Sequence, residues 1–286
     1  MSFENFKSTL MLAKMILLAR KNLVGSEFCN LGLGVGLTQK GKQVTINTEG
    51  DVSSANTDEA NPMTYSDVDT TASTLTITLD KTISVKLHDR DMHEIECGRQ
   101  SLEGALASRM MYVLNGDVDV LVMEQYANAG SDSFETGSTP WQWGSDASDW
   151  PKFCAAVHKG LDDVDAPAEG RFLTLPNVAI QAIRLYYGSR ATNLGDQMHQ
   201  NGLVAKDLFG FSVYGSRNVQ GSSTLHGLAG VKGDGLALAV QISPTIEKIR
   251  LEGFWADGIR ARVTAGAKVY KPANVIDINL NATLLA

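Results

Sequence analysis

The stretch from Ser101 to Ala129, SLEGALASRMMYVLNGDVDVLVMEQYANA, constrains this chain more than any other. Apolar residues recur at Leu102, Leu106, Met110, Val113, Leu114, Val118, Leu121, Val122 and Tyr126. Their steps of three, four and seven place them on one helical face. Glu103, Asn115, Asp119, Glu124 and Asn128 fall between them. No proline interrupts the run, and Gly130-Ser131 closes it. Such a helix is about 45 Å long, against an average of about 11 to 12 residues. Gly104 and Gly116 each cost about 1 kcal/mol relative to alanine, so packing must supply the stability. The pattern describes a beam on which other elements are laid, although an ordinary core helix has the same period.

The second constraint is β-like. Gln43 to Asn47 reads as a strand, and Thr48 to Ser73 is polar and without hydrophobic period. A structureless segment of that length is unusual in a compact domain, so it is either functional or supported by another chain. Leu75, Ile77, Leu79, Ile83, Val85 and Leu87 then alternate with Thr74, Thr76, Thr78, Thr82, Ser84 and Lys86, as in a half-buried ribbon. Residues 41–90 therefore read as two strand arms flanking a polar excursion. A two-stranded ribbon is marginal alone in water, so it is expected to lie on a neighbour.

The N-terminus is not read as a signal peptide. Lys14 interrupts the apolar run from Leu10 to Ala19, and Arg20-Lys21 stand where a small-residue cleavage site belongs. Phe3, Phe6, Leu10, Ala13 and Leu17 follow heptad-like spacing, with Lys7, Lys14 and Lys21 on another face. This helix either packs on its own domain or docks on a partner with its lysines toward acid or nucleic acid. Gly32-x-Gly34-x-Gly36 lacks the dinucleotide-loop spacing and reads as a hinge. No apolar run is long enough for a transmembrane helix.

Further along, Gly130 to Ser148 reads as a loop holding Trp141 and Trp143. Asp149 and Pro151 open a short helix that buries Phe153, Val157 and Leu161, with His158 a satisfied or surface residue. A Pro- and Gly-punctuated turn over 164–171 leads to a strand, Phe172 to Leu175. Pro176-Asn177 starts a helix through Tyr187, with apolar surface at Ile180, Ile183, Leu185 and Tyr186. A polar loop, Gly188 to Gly202, follows. Later strands lie at Phe211–Tyr214, Leu236–Ile242, Ile259–Thr264 and Ile276–Leu280, with Gly266 breaking or bulging the chain.

Signals for chemistry are sparse. His88-Asp89-Arg90-Asp91-Met92-His93-Glu94 groups acids and histidines, and a metal-assisted hydrolase would use Asp89, Asp91 and His93. Helix capping by Asp89 or Asp91 is the simpler account. There is no H-E-x-x-H, no Walker loop and no G-x-S-x-G elbow. Asp117/Asp119 and Asp162/Asp163 read as solvated faces. Cys29, Cys97 and Cys154 form no disulfide framework. The net charge of −7 argues against a surface built mainly for nucleic acid or anionic lipid. No catalytic residue, metal or cofactor is nominated, which shifts weight toward a protein whose work is contact.

The order of these parts resembles the major capsid proteins of tailed bacteriophages, which share the Johnson (Hong Kong 97-type) fold. LTITLDKTISVKLHDRD at 75–91 is similar to the returning strand of that family's extended loop, running into its spine helix. DVDAPAEGRFLTLP at 163–176, DLFGFSVYGSRNV at 207–219 and DGIRARVTAGAKVYKPANVIDIN at 257–279 resemble its turn-and-strand, G-F-x-V-Y and closing-strand stretches. The resemblance implies an α+β fold: an N-terminal arm (1–40), an extended β loop (41–92), a peripheral domain with the spine helix (93–175), an axial domain (176–254) and closing peripheral strands (255–286). It implies a structural, non-enzymatic virion protein, made in the host cytoplasm. Self-assembly would run through pentamers and hexamers into an icosahedral head around double-stranded DNA in non-specific contact. A separate scaffolding protein, a portal and decoration proteins would be partners. Subunit-interface candidates are Leu75, Ile77, Leu79, Lys81, Ile83, Val85, Phe3, Leu10 and Leu17, and DNA-facing candidates are Lys7, Lys14 and Lys21. A nanocompartment shell of the same fold is the alternative.

Overall fold

The computed structural model describes residues 24–34, 41–50, 52, 67, 70–90, 99–134, 141, 149–188 and 207–281. In chain order its elements begin with α1 (Gly25–Phe28), β1 (Gln43–Glu49), β2 (Thr70–Thr76), β3 (Leu79–His88), α2 (Arg99–Met123) and β4 (Gly130–Phe134). There follow α3 (Asp149–Asp162), β5 (Arg171–Leu175), α4 (Asn177–Gly188), β6 (Asp207–Leu208), β7 (Phe211–Gly215) and β8 (Gln220–Gly221). The chain ends in β9 (Thr224–Val231), β10 (Leu236–Arg250), β11 (Ala256–Val269) and β12 (Val275–Asn281). The class is α+β, as expected.

The strands form three sheets: the pair β1-β2, a three-stranded sheet β10-β11-β3, and a seven-stranded sheet β4-β12-β9-β5-β7-β6 with β8 on β9. All pairs are antiparallel except β12–β4 and β5–β7. Sheet membership cuts across the segments expected from sequence. β5 and β12, placed outside the axial segment, share a sheet with β7 and β9, whereas β10, placed inside it, pairs with β11.

The long helix forms as α2 and tightens into a 3₁₀ turn over Glu124–Asn128. Its buried stripe serves two different partners. Met110 and Leu114 pack on Leu87, Ile259, Ala261 and Val263 of the three-stranded sheet. Leu121, Val122 and Met123 pack with Phe28, Phe172 and Leu236, nearer the seven-stranded sheet. This change of partner narrows the stripe, so Val113 is 43% exposed although the period placed it inside.

The alternating arm from Leu75 to Leu87 is not one ribbon. β2 pairs with β1 from Gln43↔Thr76 to Glu49↔Thr70, whereas β3 pairs with β11 from Leu79↔Ala265 to His88↔Ala256. The crossing falls at Ile77 and Thr78, whose amides donate to Lys42 and Ala265 carbonyls respectively. Gly266 lies under this crossing. A Cβ there would sit 2.3 Å from the Thr76 carbonyl oxygen and 2.9 Å from the Ile77 Cα. Gly266 therefore does not break β11, which runs on to Val269. The irregularities lie on β10, between Val240 and Ile242 and between Ile242 and Thr245, beside Pro244.

The largest core lies between α3, α4 and the seven-stranded sheet. Trp150, Phe153, Val157 and Leu161 of α3 and Ala179 and Ile183 of α4 cover Leu173, Leu175, Phe211 and Ile278. Two expectations fail here. Leu185 points outward, because α4 packs through Ala179, Ile183 and Tyr186 instead. The Gly130–Ser148 segment begins as an edge strand, β4, paired through backbone to β12 despite its Gly, Ser and Asp content.

Gly266→Ala is expected to destabilise the chain by about 1–3 kcal/mol or more, because the obstructing atoms are backbone. Gly104→Ala, with nothing near its Cβ, is expected to stabilise by up to about 1 kcal/mol. Urea denaturation of both variants checks the contrast.

Candidate assembly surfaces

Among the described residues, the β1-β2 ribbon is anchored through its base. Ile46, Leu75 and Ile77 pack on Ala237 and Ala239 of β10 and on Tyr270. Leu75 is 0% exposed, and Ile77 is buried too, so the chain itself covers two residues that the sequence reading gave to a neighbour. The physical reason is the crossing over β11, which brings the ribbon's base onto the chain's own sheet. Leu79, Ile83 and Val85 are half-buried against α2 and the inner face of β11. Lys81 is exposed, as are Asn47, Thr70, Thr71 and Ala72 toward the ribbon's far end. Phe3, Leu10, Leu17, Lys7, Lys14 and Lys21 lie outside the described residues, as does most of the polar segment 48–73.

The face of the three-stranded sheet turned away from α2 is charged. Strand alternation sends Ile259, Ala261 and Val263 inward and Arg260 and Arg262 outward. Arg262 binds Asp80 of β3 through two nitrogens at 2.9 and 2.6 Å, and Arg260 binds Glu247 of β10 at 2.8 and 2.7 Å. These cross-strand pairs flank an open cleft of about 520 Å³ that also touches Thr82, Ser84, Ile242 and Thr245. Hydrogen bonds from Arg262 hold the Asp80 carboxyl below the usual aspartate range.

At the end of this sheet the β10–β11 hairpin turns through Leu251 to Trp255. Trp255 is 84% exposed, and Phe254 beside it is also exposed. The turn is held from beneath. Arg250 binds Asp89 through two nitrogens at 2.8 and 2.5 Å and Asp257 at 2.9 Å. The Asp89 amide donates to the Trp255 carbonyl at 3.0 Å, and the Lys86 ammonium sits 3.3 Å over the Phe254 ring. Sequence reasoning missed this feature. Its signal was the two adjacent aromatics in LEGFWADG, a glycine-bearing turn where polar residues are the usual occupants.

The chemical candidates resolve differently. The carboxylate of Asp89 is engaged by Arg250, while Asp91 and His93 lie outside the described residues. Among the described residues no group of three His, Cys, Asp or Glu is placed to hold a metal ion. His158 is satisfied. Its Nδ1 lies 2.8 Å from Arg171 Nη1, which can only donate, so Nδ1 accepts. Its Nε2–H therefore donates to the Phe209 carbonyl at 2.6 Å. Asp162 is exposed, and its carboxylate accepts a bond from the buried Arg171 at 2.6 Å. Asp119, read as solvated, is 3% exposed and accepts four hydrogen bonds. Burial keeps Cys29 and Cys154 protonated, the latter pushed up to about 12. None of the described helices is long and apolar enough to cross a membrane.

No known family model and no curated protein sequence matches the chain. Solved structures match over nearly its whole length. A chain from Mycobacterium phage Che8 superposes with a TM-score of 0.77 at 23% identity, covering 97% of this chain and 98% of that one. A chain of the capsid of the cyanophage P-SCSP1u gives 0.73 at 12% identity, covering 98% and 94%. One from the capsid of a native GTA particle gives 0.66 at 12%, covering 96% of each. The chain thus has the fold of these capsid structures, the Johnson fold.

Replacing Arg262 by Gln is expected to move the Asp80 titration up toward about 3.9, the ordinary aspartate value, as read by carbon-detected NMR. Because the folded value is depressed, the pair's contribution to stability is present above that ordinary value. It is lost as pH falls through the folded value, and the variant should lack this acid-side loss.

Proposed function

We propose that this chain is the major capsid protein of a tailed phage, a structural shell subunit and not an enzyme. The observation that carries the reading is the end-to-end structural likeness to a chain from a phage and to chains of a cyanophage capsid and a GTA-particle capsid, with 94% or more of each compared chain covered. A fold shared over only one domain would suit many functions. A fold shared over nearly the whole length of both chains favours a shared task, here the tiling of a shell.

On this reading copies join into pentamers and hexamers that close an icosahedral head around packaged double-stranded DNA, and the protein resides in the virion after synthesis in the host cytoplasm. Three surfaces carry the contacts. One is the far part of the β1-β2 ribbon, where Thr70, Thr71 and Ala72 are uncovered. Another is the charged outer sheet face around Asp80, Arg260 and Arg262, with the exposed Lys81 at its margin. The last is the hairpin tip at Phe254 and Trp255. The occupant of each is another copy of the chain. Lys7, Lys14 and Lys21 remain the residues proposed to face DNA, and portal, scaffolding and decoration proteins the further partners.

Electron microscopy of the purified protein tests the reading directly: uniform closed particles are expected, and a 30.8 kDa monomer at every concentration overturns it. Two variants refine it. Replacing residues 50–69 by Asn-Gly, a two-residue turn that spares all paired strand residues, should leave the melting temperature of unassembled protein nearly unchanged and abolish closed particles. Trp255→Ser should likewise spare folding, since the side chain is almost fully exposed, and reduce particle yield by tenfold or so.

A further inference from the structure

The least expected side chain in the molecule is Asp119. It lies in α2, is 3% exposed, and joins three segments far apart in sequence. Its Oδ1 accepts from the Val24 amide at 3.1 Å and the Gly25 amide at 2.5 Å. Its Oδ2 accepts from Asn218 Nδ2 at 2.6 Å and Ser216 Oγ at 3.3 Å. All four donors are neutral, so the buried charge is stabilised by these bonds. Residues 24 and 25 are where residues 1–23 join the described body, and Ser216 and Asn218 form the turn between β7 and β8.

We propose that Asp119 is a mechanical link through which the β7–β8 turn controls how firmly the chain is attached at Val24 and Gly25. The carboxylate is a rigid plane turning about one bond. With both oxygens engaged it cannot rotate. Without the donors on Oδ2, only the two amides oppose rotation, so the carboxylate turns more readily and its hold on Val24 and Gly25 weakens. Among the described residues, the attachment has no substitute cap of its own. α1 is preceded by Val24, which has no side-chain oxygen, and no side chain of its own caps it. Asp119 supplies that cap from 95 positions away. Gly25 is required for the approach, since a Cβ there would stand 2.8 Å from Asp119 Oδ1. The turn is shaped by the same groups, because the Asn218 amide donates to Ser216 Oγ at 3.1 Å.

The far end of α1 is held independently. Phe28 is fully buried and stacks on Phe172 with ring centroids 4.3 Å apart. The Asn30 amide donates to the Leu236 carbonyl at 2.7 Å. Release of the link should therefore loosen residues 24–25 and leave residues 28–30 in place. The inference concerns one folded chain and does not depend on the shell reading.

Hydrogen–deuterium exchange of the full chain tests it. In Asn218→Ala, which touches neither Val24 nor Gly25, exchange at those two amides should accelerate roughly tenfold. Exchange at Asn30 and in the first half of α2 should stay within about twofold. Ser216→Ala should act in the same direction more weakly, given its longer bond, and provides the test if Asn218→Ala does not fold. Asn115→Ala, on the exposed side of the same helix, should change neither site. Unchanged exchange at residues 24–25 in both turn variants overturns the proposal. So does an increase of equal size throughout the chain.

Discussion

The architecture depends on how closely other elements can approach β11. This strand is the middle of the three-stranded sheet, with β10 on one side and β3 on the other. Its inner positions after Ile259 are Ala261, Val263, Ala265 and Ala267, small for a buried strand. Small side chains there let α2 settle low enough for Met110 and Leu114 to reach Leu87 and Val263. The same economy of volume at Gly266 admits the backbone of residues 76–77 across the strand. A larger residue anywhere in this row would lift either the helix or the crossing, since cores tolerate added volume poorly.

Two consequences follow from that arrangement. The crossing turns one alternating segment into two strands of different sheets, so the apolar side of β2 meets β10 and Tyr270 while that of β3 meets α2. The helix, held against β11 for part of its length, continues past the sheet and reaches the seven-stranded layer through Leu121, Val122 and Met123. The two layers are also joined by the turn after β9, where Asp234 accepts bonds from Tyr270, Lys271 and Asn274. The tryptophan-bearing hairpin projects at the opposite end of β10 and β11 from this junction.

Much of this was legible in the sequence where the signal is local and periodic. The long helix, the alternation of Ile259, Ala261 and Val263 with Arg260 and Arg262, and the buried face of α3 all depend on neighbours within one or two turns. Asp119 was not legible. Its donors come from residues 24, 25, 216 and 218, and nothing in its own helix distinguishes it from Asp117. The split at Ile77 was hidden because alternation continues through it, and only the glycine at 266 hinted at a close passage. β4 escaped notice because its pairing to β12 runs through backbone and asks little of its side chains. At Leu75 and Ile77 the period identified an apolar side but could not say that the chain's own β10 and Tyr270 would cover it.

The ribbon of β1 and β2 is fixed at its base and uncovered toward its end, and this makes it a lever. Seven paired residues span about 23 Å. From Ile46 to Glu49 and from Leu75 to Thr70 the arm is about 10–16 Å, so a tilt of about ten degrees at Ile46 and Leu75 would carry its far end by about 2–3 Å while the base stays packed. A swing of that size leaves the packed base and the sheet beneath it unchanged, so one fold can present the ribbon's end at more than one angle.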